Sequence, residues 1–408
     1  MTGVGPPHPD ILTPAEWDIL GYLRRGMSNR QIANTRNSSV AAVKYHITNI
    51  RLKLTMTERD DLMEWSGFPS IPATAMSVND DASIPLKHRD FREEEVRFHN
   101  GEVALAGTLV LPNSDGPHPA IIYTHGSGPQ SRDHTLDYAK LFARHGIAGL
   151  VYDKRGVGGS SGDWVTASFD ELVDDALSGL DLLQARDEIS GSEVGVWGGS
   201  QGGWLGPLAA SRSEAVAFII AVSAPGVSPH EQNLLALQNW SPHMGIAEES
   251  FPAFLDAYNM FTNATFDFMA TGEGWDELES AFSAYVALAP YEDGIPQEVL
   301  EMEAEVRRTI LEPFVKRAAE LLIYDPVPTL EAVTCPVLAI WGGQDSIIPV
   351  EKSCLAFEQA LKNAANPDYT LKVFPDADHG MSLPDGARVP GYEELMVNRL
   401  LERVTVGP

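Results

Sequence analysis

From residue 91 onward, short apolar runs rich in β-branched residues alternate with longer segments of helical period. No other feature of this sequence restricts the fold as much. PAIIYTHG, IAGLVYDKRG, VGVWGG, AVAFIIAVSAP, CPVLAIWGGQD and YTLKVFPDADHG read as buried strands. FDELVDDALSGLDLLQAR is one of the intervening helices, with Leu172, Ala176, Leu180 and Leu183 on a single face. EEEVRFHNGEVALAGTLVLP precedes them as two alternating runs about Asn100-Gly101, a strong hairpin turn. The pattern predicts an α/β fold with a doubly wound, mostly parallel sheet entered through an antiparallel hairpin. In such sheets ligands sit beyond the carboxyl ends of the strands.

The chain has 408 residues, which suggests two domains, and its charge is divided unevenly. Residues 1–66 carry 8 Lys and Arg against 7 Asp and Glu, whereas the other 342 carry 21 against 50. The larger part therefore repels polyanions and disfavours anionic substrates. Two cysteines, Cys335 and Cys354, make no disulfide framework and no zinc pattern. No apolar run reaches the roughly 18 residues of a membrane span. The opening MTGVGPPHPD has neither a basic nor an apolar signal region, so the expected location is cytoplasmic.

Within the first part, LTPAEWDILGYLRRGMSNRQIANTRNSSVAAVKYHITNIRLKL reads as consecutive short helices. Thr13 with Glu16 and Ser28 with Gln31 are capping-box signatures, and Pro14 takes the favoured first helical position. From Ser39 a longer helix opens with Val43, Ile47, Ile50 and Leu54 on its buried face, leaving Lys44, Tyr45, Thr48 and Arg51 pointing outward. A short helix, a tight turn and a longer helix with a basic outer face make a helix-turn-helix. GMSNRQIAN followed by VKYHITNIRLKL resembles the LuxR-type helix-turn-helix family. The resemblance implies that Lys44 and His46 lie on the recognition helix with Lys53 near its end, and that double-stranded DNA is a partner. The alternative is a merely solvated basic face or a dimerisation module, since a net charge of +1 gives little phosphate-driven affinity. The predicted organisation is a helix-turn-helix domain over 1–67, an extended Pro-rich linker over 68–90 and an α/β domain over 91–408.

Two G-x-S-x-G matches compete for the role of nucleophile turn: Gly158-Gly159-Ser160-Ser161-Gly162 and Gly198-Gly199-Ser200-Gln201-Gly202. Ser200 directly follows the strand Val194–Trp197 and leads into an Ala-rich helical stretch, giving strand, tight turn and helix. Ser160 lacks that context and reads as a loop residue. A serine hydroxyl is a weak nucleophile at neutral pH and needs a base and an orienting carboxylate. Asp345, just past the strand Val337–Trp341, is the candidate acid, and His379, past the last strand, the candidate base. Asp376 and Asp378 are the fallback acids, nearer to His379 in sequence.

Acyl transfer develops negative charge on the carbonyl oxygen, which two preorganised N–H donors can hold. The backbone amides of Gln201, at a helix start, and Ser127, in the loop after strand Ala120–Tyr123, are the candidates. His125, Gly126 and Trp204, close by in sequence, are expected at the substrate pocket. Asp153-Lys154-Arg155-Gly156 is read as charges that pair and pin a loop beside the site.

THGSGPQSRD, VYDKRGVGGSSGDW, GGSQGG, WGGQD and DADHG, in this order, resemble the α/β-hydrolase family across residues 91–405, in particular serine esterases related to dienelactone hydrolases and acyl-peptide-type hydrolases. The resemblance implies hydrolysis of carboxylic esters through an acyl-serine, with no metal or organic cofactor. The span of 145 residues from Ser200 to Asp345 exceeds what the remaining strands and helices need. Residues 229–325 are therefore expected to form a helical cap rich in Met and aromatic residues, serving either packing or an apolar acyl pocket. The expected substrates are small to medium hydrophobic esters. The rival reading is a ligand-sensing transcriptional regulator with a hydrolase-like receptor, and an enzyme that destroys its own inducer combines the two. Self-association into a homodimer is left open.

Overall fold

The computed structural model describes residues 90–240, 248–288 and 320–406, with shorter stretches at 19–20, 22–23, 27–35, 43–44, 46–47, 50–51, 305–306, 308–309, 312 and 315. The described residues of 90–227 and 325–406 form one compact unit, and those of 10–64 and 228–324 a second.

In the first unit, alternation in FREEEVRFHN buries Val96 and Phe98 on one face of β1 (Phe91–Asn100), which pairs antiparallel with β2 (Val103–Pro112) across the Asn100-Gly101 turn. The remaining strands are β3 (His118–Thr124), β4 (Ala148–Tyr152), β6 (Ile219–Val222) and β7 (Val337–Gly342), buried throughout, β5 (Ile189–Gly199), buried from Val194 to Gly198, and the edge strand β8 (Tyr369–Phe374), buried only at Phe374. They assemble in the order β1-β2-β4-β3-β5-β6-β7-β8, with β2 antiparallel to β4 and every later pairing parallel. The mostly parallel sheet entered by a hairpin is thus what the alternation predicts.

Helices cross between the strands. In the N-terminal stretch α1 spans Asn29–Thr35; in the sheet unit α2 spans Asp133–Ala143, α3 Phe169–Gln184 and α4 Gly202–Arg212. Ser168 opens α3 with a full capping box to Glu171, worth about 1 kcal/mol. The face carrying Leu172, Ala176, Leu180 and Leu183 is buried, as its period requires. Tyr123, Tyr138, Phe142, Trp197, Phe374 and Tyr392 share one hydrophobic core that holds the strand ends in register.

The second unit holds α5 (Pro229–Trp240), α6 (Phe251–Thr271) and α7 (Trp275–Leu288). Its aromatic residues pack on each other: Phe261 stacks on Tyr285 at 5.7 Å, Phe254 meets Tyr285 at 5.5 Å, and Phe268 meets Trp275 edge-on at 5.4 Å. In the N-terminal stretch, Ser28 and Gln31 make the expected box: Gln31 Oε1 accepts from the Ser28 amide at 2.9 Å, and the Gln31 amide donates to Ser28 Oγ at 3.4 Å. Val43, Ile47 and Ile50 are buried, as are Ile19, Leu20, Leu23 and Ile32. Thr13, Pro14, Glu16 and Leu54 lie outside the described residues. The sheet unit is completed by α8 (Pro326–Glu331), α9 (Val350–Asn363) and α10 (Tyr392–Leu401).

Candidate active site

Ser200 sits between the end of β5 and the start of α4 with φ +54°, a left-handed conformation rare for a residue bearing a Cβ. The turn is tight because the backbone folds onto itself. A Cβ on Gly198 would lie 2.1 Å from the Gly202 carbonyl oxygen, and one on Gly202 would lie 2.7 Å from Thr124 Oγ1. The glycines two before and two after the serine are therefore steric requirements of the turn. The Ser200 amide donates to the Val222 carbonyl at 2.9 Å, tying the turn to β6.

The acid and base come from adjacent strand ends. The Asp345 carboxylate accepts from His379 Nδ1 at 2.7 Å, and its side chain is fully buried. Its other oxygen accepts the amides of Ile347 at 2.8 Å and Ile348 at 2.9 Å. With Nδ1 as donor, Nε2 is the histidine atom able to take a proton. The β7 and β8 loops interlock: a Cβ on Gly342 would lie 2.2 Å from the Asp378 carbonyl oxygen, and the Gln344 amide donates to Ala377 at 2.8 Å. Asp376 is exposed, and Asp378 Oδ1 accepts the Ser382 amide at 2.8 Å within its own loop. Asp345, and neither fallback acid, is thus the carboxylate bonded to His379.

Ser200 and His379 border one cavity of about 40 Å³, which continues between Tyr138, Trp197, Val222 and Met381. Gly126 borders it too. The other two residues expected at a substrate pocket are placed elsewhere. His125 donates Nε2–H to the Tyr152 carbonyl at 2.6 Å, and burial, helped by the positive charge of Lys154, depresses its pKa to about 3. It is a neutral strut under the loop. Trp204 is buried against Phe169, with its indole donating to the Val227 carbonyl at 3.1 Å. Sequence proximity placed both at the pocket, and each ring instead satisfies a backbone carbonyl.

Gln201 caps α4, and Ser127, half-buried, follows Gly126. Neither borders the cavity itself, although each adjoins in sequence a residue that does. The Gly126 amide is occupied by Gln130 Oε1 at 2.7 Å, which leaves Ser127 as the next amide along this loop. Beneath it, Lys154 Nζ donates to the carbonyls of Gly126 and Gly128 and to Gln201 Oε1. Asp153 receives Arg132 through its backbone and guanidinium and the Gly159 amide at 2.8 Å. Burial alone would raise the Asp153 pKa, yet these bonds outweigh it and hold the carboxyl below its ordinary value. Arg155 pairs with Asp175 at 2.7 Å and Glu171 at 3.2 Å. Ser160 Oγ donates to the Asp153 carbonyl at 2.6 Å, a loop role rather than a nucleophile's.

Two contributors carry no sequence signal. Ser223, at φ +48°, donates Oγ to the His379 carbonyl at 2.7 Å, and Arg388 donates to the Gly380 carbonyl at 2.5 Å while its guanidinium lies over Tyr138 and Tyr392. Both act on backbone carbonyls of the histidine loop from outside its motif.

Residues 121–389 match the model of the Alpha/beta hydrolase family. The chain belongs to this family. Residues 10–66 of this hydrolase match the model of Bacterial regulatory proteins, luxR family. The hydrolase is 25 % identical to esterase EstD of Thermotoga maritima, over 91 % of this chain and 81 % of that protein. Its N-terminal stretch is 36 % identical to the monoamine regulon transcriptional regulator of Klebsiella aerogenes over 66 residues, 16 % of this chain and 29 % of that protein. An esterase of Pyrococcus furiosus superposes with a TM-score of 0.48 at 17 % identity, covering 78 % of this chain and 92 % of that one.

In the luxR-type part, Lys44 is exposed on a helical stretch, while His46 and Arg51 are half-buried. Tyr45, Thr48 and Lys53 lie outside the described residues. Among the described residues no cluster of His, Cys, Asp and Glu could hold a metal, and no helix is long and apolar enough to cross a membrane.

Proposed function

We propose that this α/β hydrolase cleaves small hydrophobic carboxylic esters through an acyl-serine. The 2.7 Å bond from His379 Nδ1 to a buried Asp345, at the cavity that Ser200 also borders, carries the reading. Ser200 Oγ attacks the ester carbonyl while His379 Nε2 takes its proton, and Asp345 orients and stabilises the imidazolium. The Gln201 and Ser127 amides hold the oxyanion. His379 then returns the proton to the departing alcohol, and water repeats the sequence to release the acid. The esterase name of the Thermotoga maritima relative supports an ester as substrate. The test is turnover of p-nitrophenyl esters: the native chain hydrolyses them, and Ser200→Ala loses at least about a thousandfold in kcat. Native protein inert towards every ester would defeat the reading.

The luxR-type stretch favours a second role beside the first. Residues 1–67 form a DNA-binding domain joined by 68–90 to the hydrolase of 91–408, with Lys44 on the DNA-facing helix. A ligand of the hydrolase would then set the state of the regulator, whether or not it is also destroyed. Salt-dependent retardation of upstream DNA, weakened in Lys44→Ala, is expected; no shift at low salt would refute it.

A further inference from the structure

The geometry points to Lys154 as the residue that aims both oxyanion donors of the proposed ester hydrolysis. This inference rests on that reading. Lys154 is 2 % exposed, and its ammonium spends its three N–H groups on three neutral oxygens: Gly126 O at 2.9 Å, Gly128 O at 3.0 Å and Gln201 Oε1 at 2.9 Å. Two of these belong to the loop that carries one candidate donor, and the third to the residue that carries the other.

Peptide geometry turns the first bond into a constraint on the donor. The Gly126 carbonyl and the Ser127 N–H belong to one planar unit, in which C=O and N–H point in opposite directions. Fixing the Gly126 oxygen on the ammonium therefore fixes where the Ser127 N–H points. The bond to Gly128 O holds the far end of the same short segment, so the loop cannot rotate about Ser127. A cation on the carbonyl oxygen also polarises the peptide and strengthens its N–H as a donor. On the other side, the bond to Gln201 Oε1 links this loop to the first residue after Ser200. Trp164 lies over the ammonium at 5.7 Å and helps to hold it. Lys154 is thus a positioning residue: it bonds the peptide that carries the Ser127 N–H, the far end of that loop and the side chain of Gln201, and the oxyanion feels it through them.

Burial keeps His125 neutral, and the same arrangement reinforces it. A protonated imidazole would stand beside this fixed cation, and the repulsion adds to burial in depressing its pKa. The cation at this spot is thus the one on the residue that bonds both donor-bearing segments.

The test uses the full chain with Lys154→Met, which keeps the apolar stem and removes the donors. A hole that is misaimed rather than absent should lower kcat by about 10- to 100-fold, below the roughly 100- to 1,000-fold of deleting a donor. KM should stay within about threefold, since the oxyanion exists only after attack. Affinity for a trifluoromethyl ketone, whose hemiketal oxygen occupies the hole, should fall in parallel with kcat/KM. Lys154→Arg should recover part of both losses. If Lys154→Met fails to fold, Gln201→Leu decides: losing the ammonium's third acceptor should lower kcat by about 3- to 10-fold at unchanged KM. Turnover and ketone affinity within about twofold of native, or a loss confined to KM, overturns the inference while leaving ester hydrolysis intact. A native chain that neither hydrolyses esters nor binds the ketone overturns both.

Discussion

Replacing Asp345 by Asn keeps the shape of the side chain, removes its charge and changes which atom faces the imidazole, and the structure dictates the outcome. One carboxylate oxygen accepts two amides, from Ile347 and Ile348, while the other accepts His379 Nδ1. In the Asp345→Asn variant the single amide oxygen is claimed by the two backbone N–H groups, because an NH₂ group placed there would face two donors. The NH₂ group then points at Nδ1 and can bond only if Nδ1 carries no proton. The imidazole is driven to its Nε2–H tautomer, which cannot accept the proton of Ser200. The same inversion in the serine protease triad costs about 10⁴ in kcat, and a loss of about 10³ to 10⁴ here corresponds to about 4–5.5 kcal/mol of barrier. The assay is steady-state hydrolysis of p-nitrophenyl acetate by Asp345→Asn, with Asp376→Asn and Asp378→Asn beside it. KM should hold, and Asp376→Asn should remain within about twofold of native, because that side chain is exposed and takes no part in the bond. A kcat for Asp345→Asn above a tenth of native would refute the tautomer argument. So would a larger loss in Asp376→Asn than in Asp345→Asn.

Three further outcomes follow from the same structure. His125 stays neutral in the folded chain down to about pH 3, whereas in the unfolded chain it takes up a proton near 6.5. Its contribution to stability is therefore complete above about pH 6.5 and shrinks as the pH falls towards 3. Between about pH 7.5 and 5 the loss is about 2 kcal/mol at roughly 1.36 kcal/mol per unit, read from urea unfolding as a slope that His125→Gln lacks; parallel profiles for the two proteins would contradict it. Gly198→Ala puts a Cβ 2.1 Å from a backbone oxygen, so a destabilisation of about 3 kcal/mol or failure to fold is expected, and an unchanged melting temperature would show that the turn is less tight than described. The cavity beside Ser200, about 40 Å³, suits acyl chains of about two to four carbons, so kcat/KM should fall at least about tenfold between butyrate and octanoate esters. A flat chain-length profile would remove that cavity from the acyl site.

Much of this architecture is legible in the sequence because it depends on periodicity and on glycine. Alternating strand and helix patterns determine a parallel sheet, and the fold then places the residues following β5, β7 and β8 at a common end. Glycine spacing alone leaves Ser200 and Ser160 equal, and the strand before and helix after separate them, since only at Ser200 does a helix begin at once. Topology also ranks Asp345 above Asp378: a residue across a strand gap can face the imidazole, while one in the same loop is consumed by local amides. What the sequence conceals works through backbone groups. Ser223, Arg388 and Gln130 each bond a main-chain group of a loop of the candidate site, and such a bond leaves no motif in the residue it serves. Trp204 and His125 mislead for the converse reason, as polar rings near a nucleophile or its loop whose donors are committed to carbonyls.

The central claim is that the Ser200 hydroxyl is an activated nucleophile, and a fluorophosphonate tests it without knowledge of the natural ester. After incubation with the native chain, peptide mass spectrometry should locate one equivalent of label on the peptide bearing Ser200, with Asp345→Asn reacting far more slowly. Label absent from that peptide, or carried by another serine while Ser200 stays unmodified, would contradict the account.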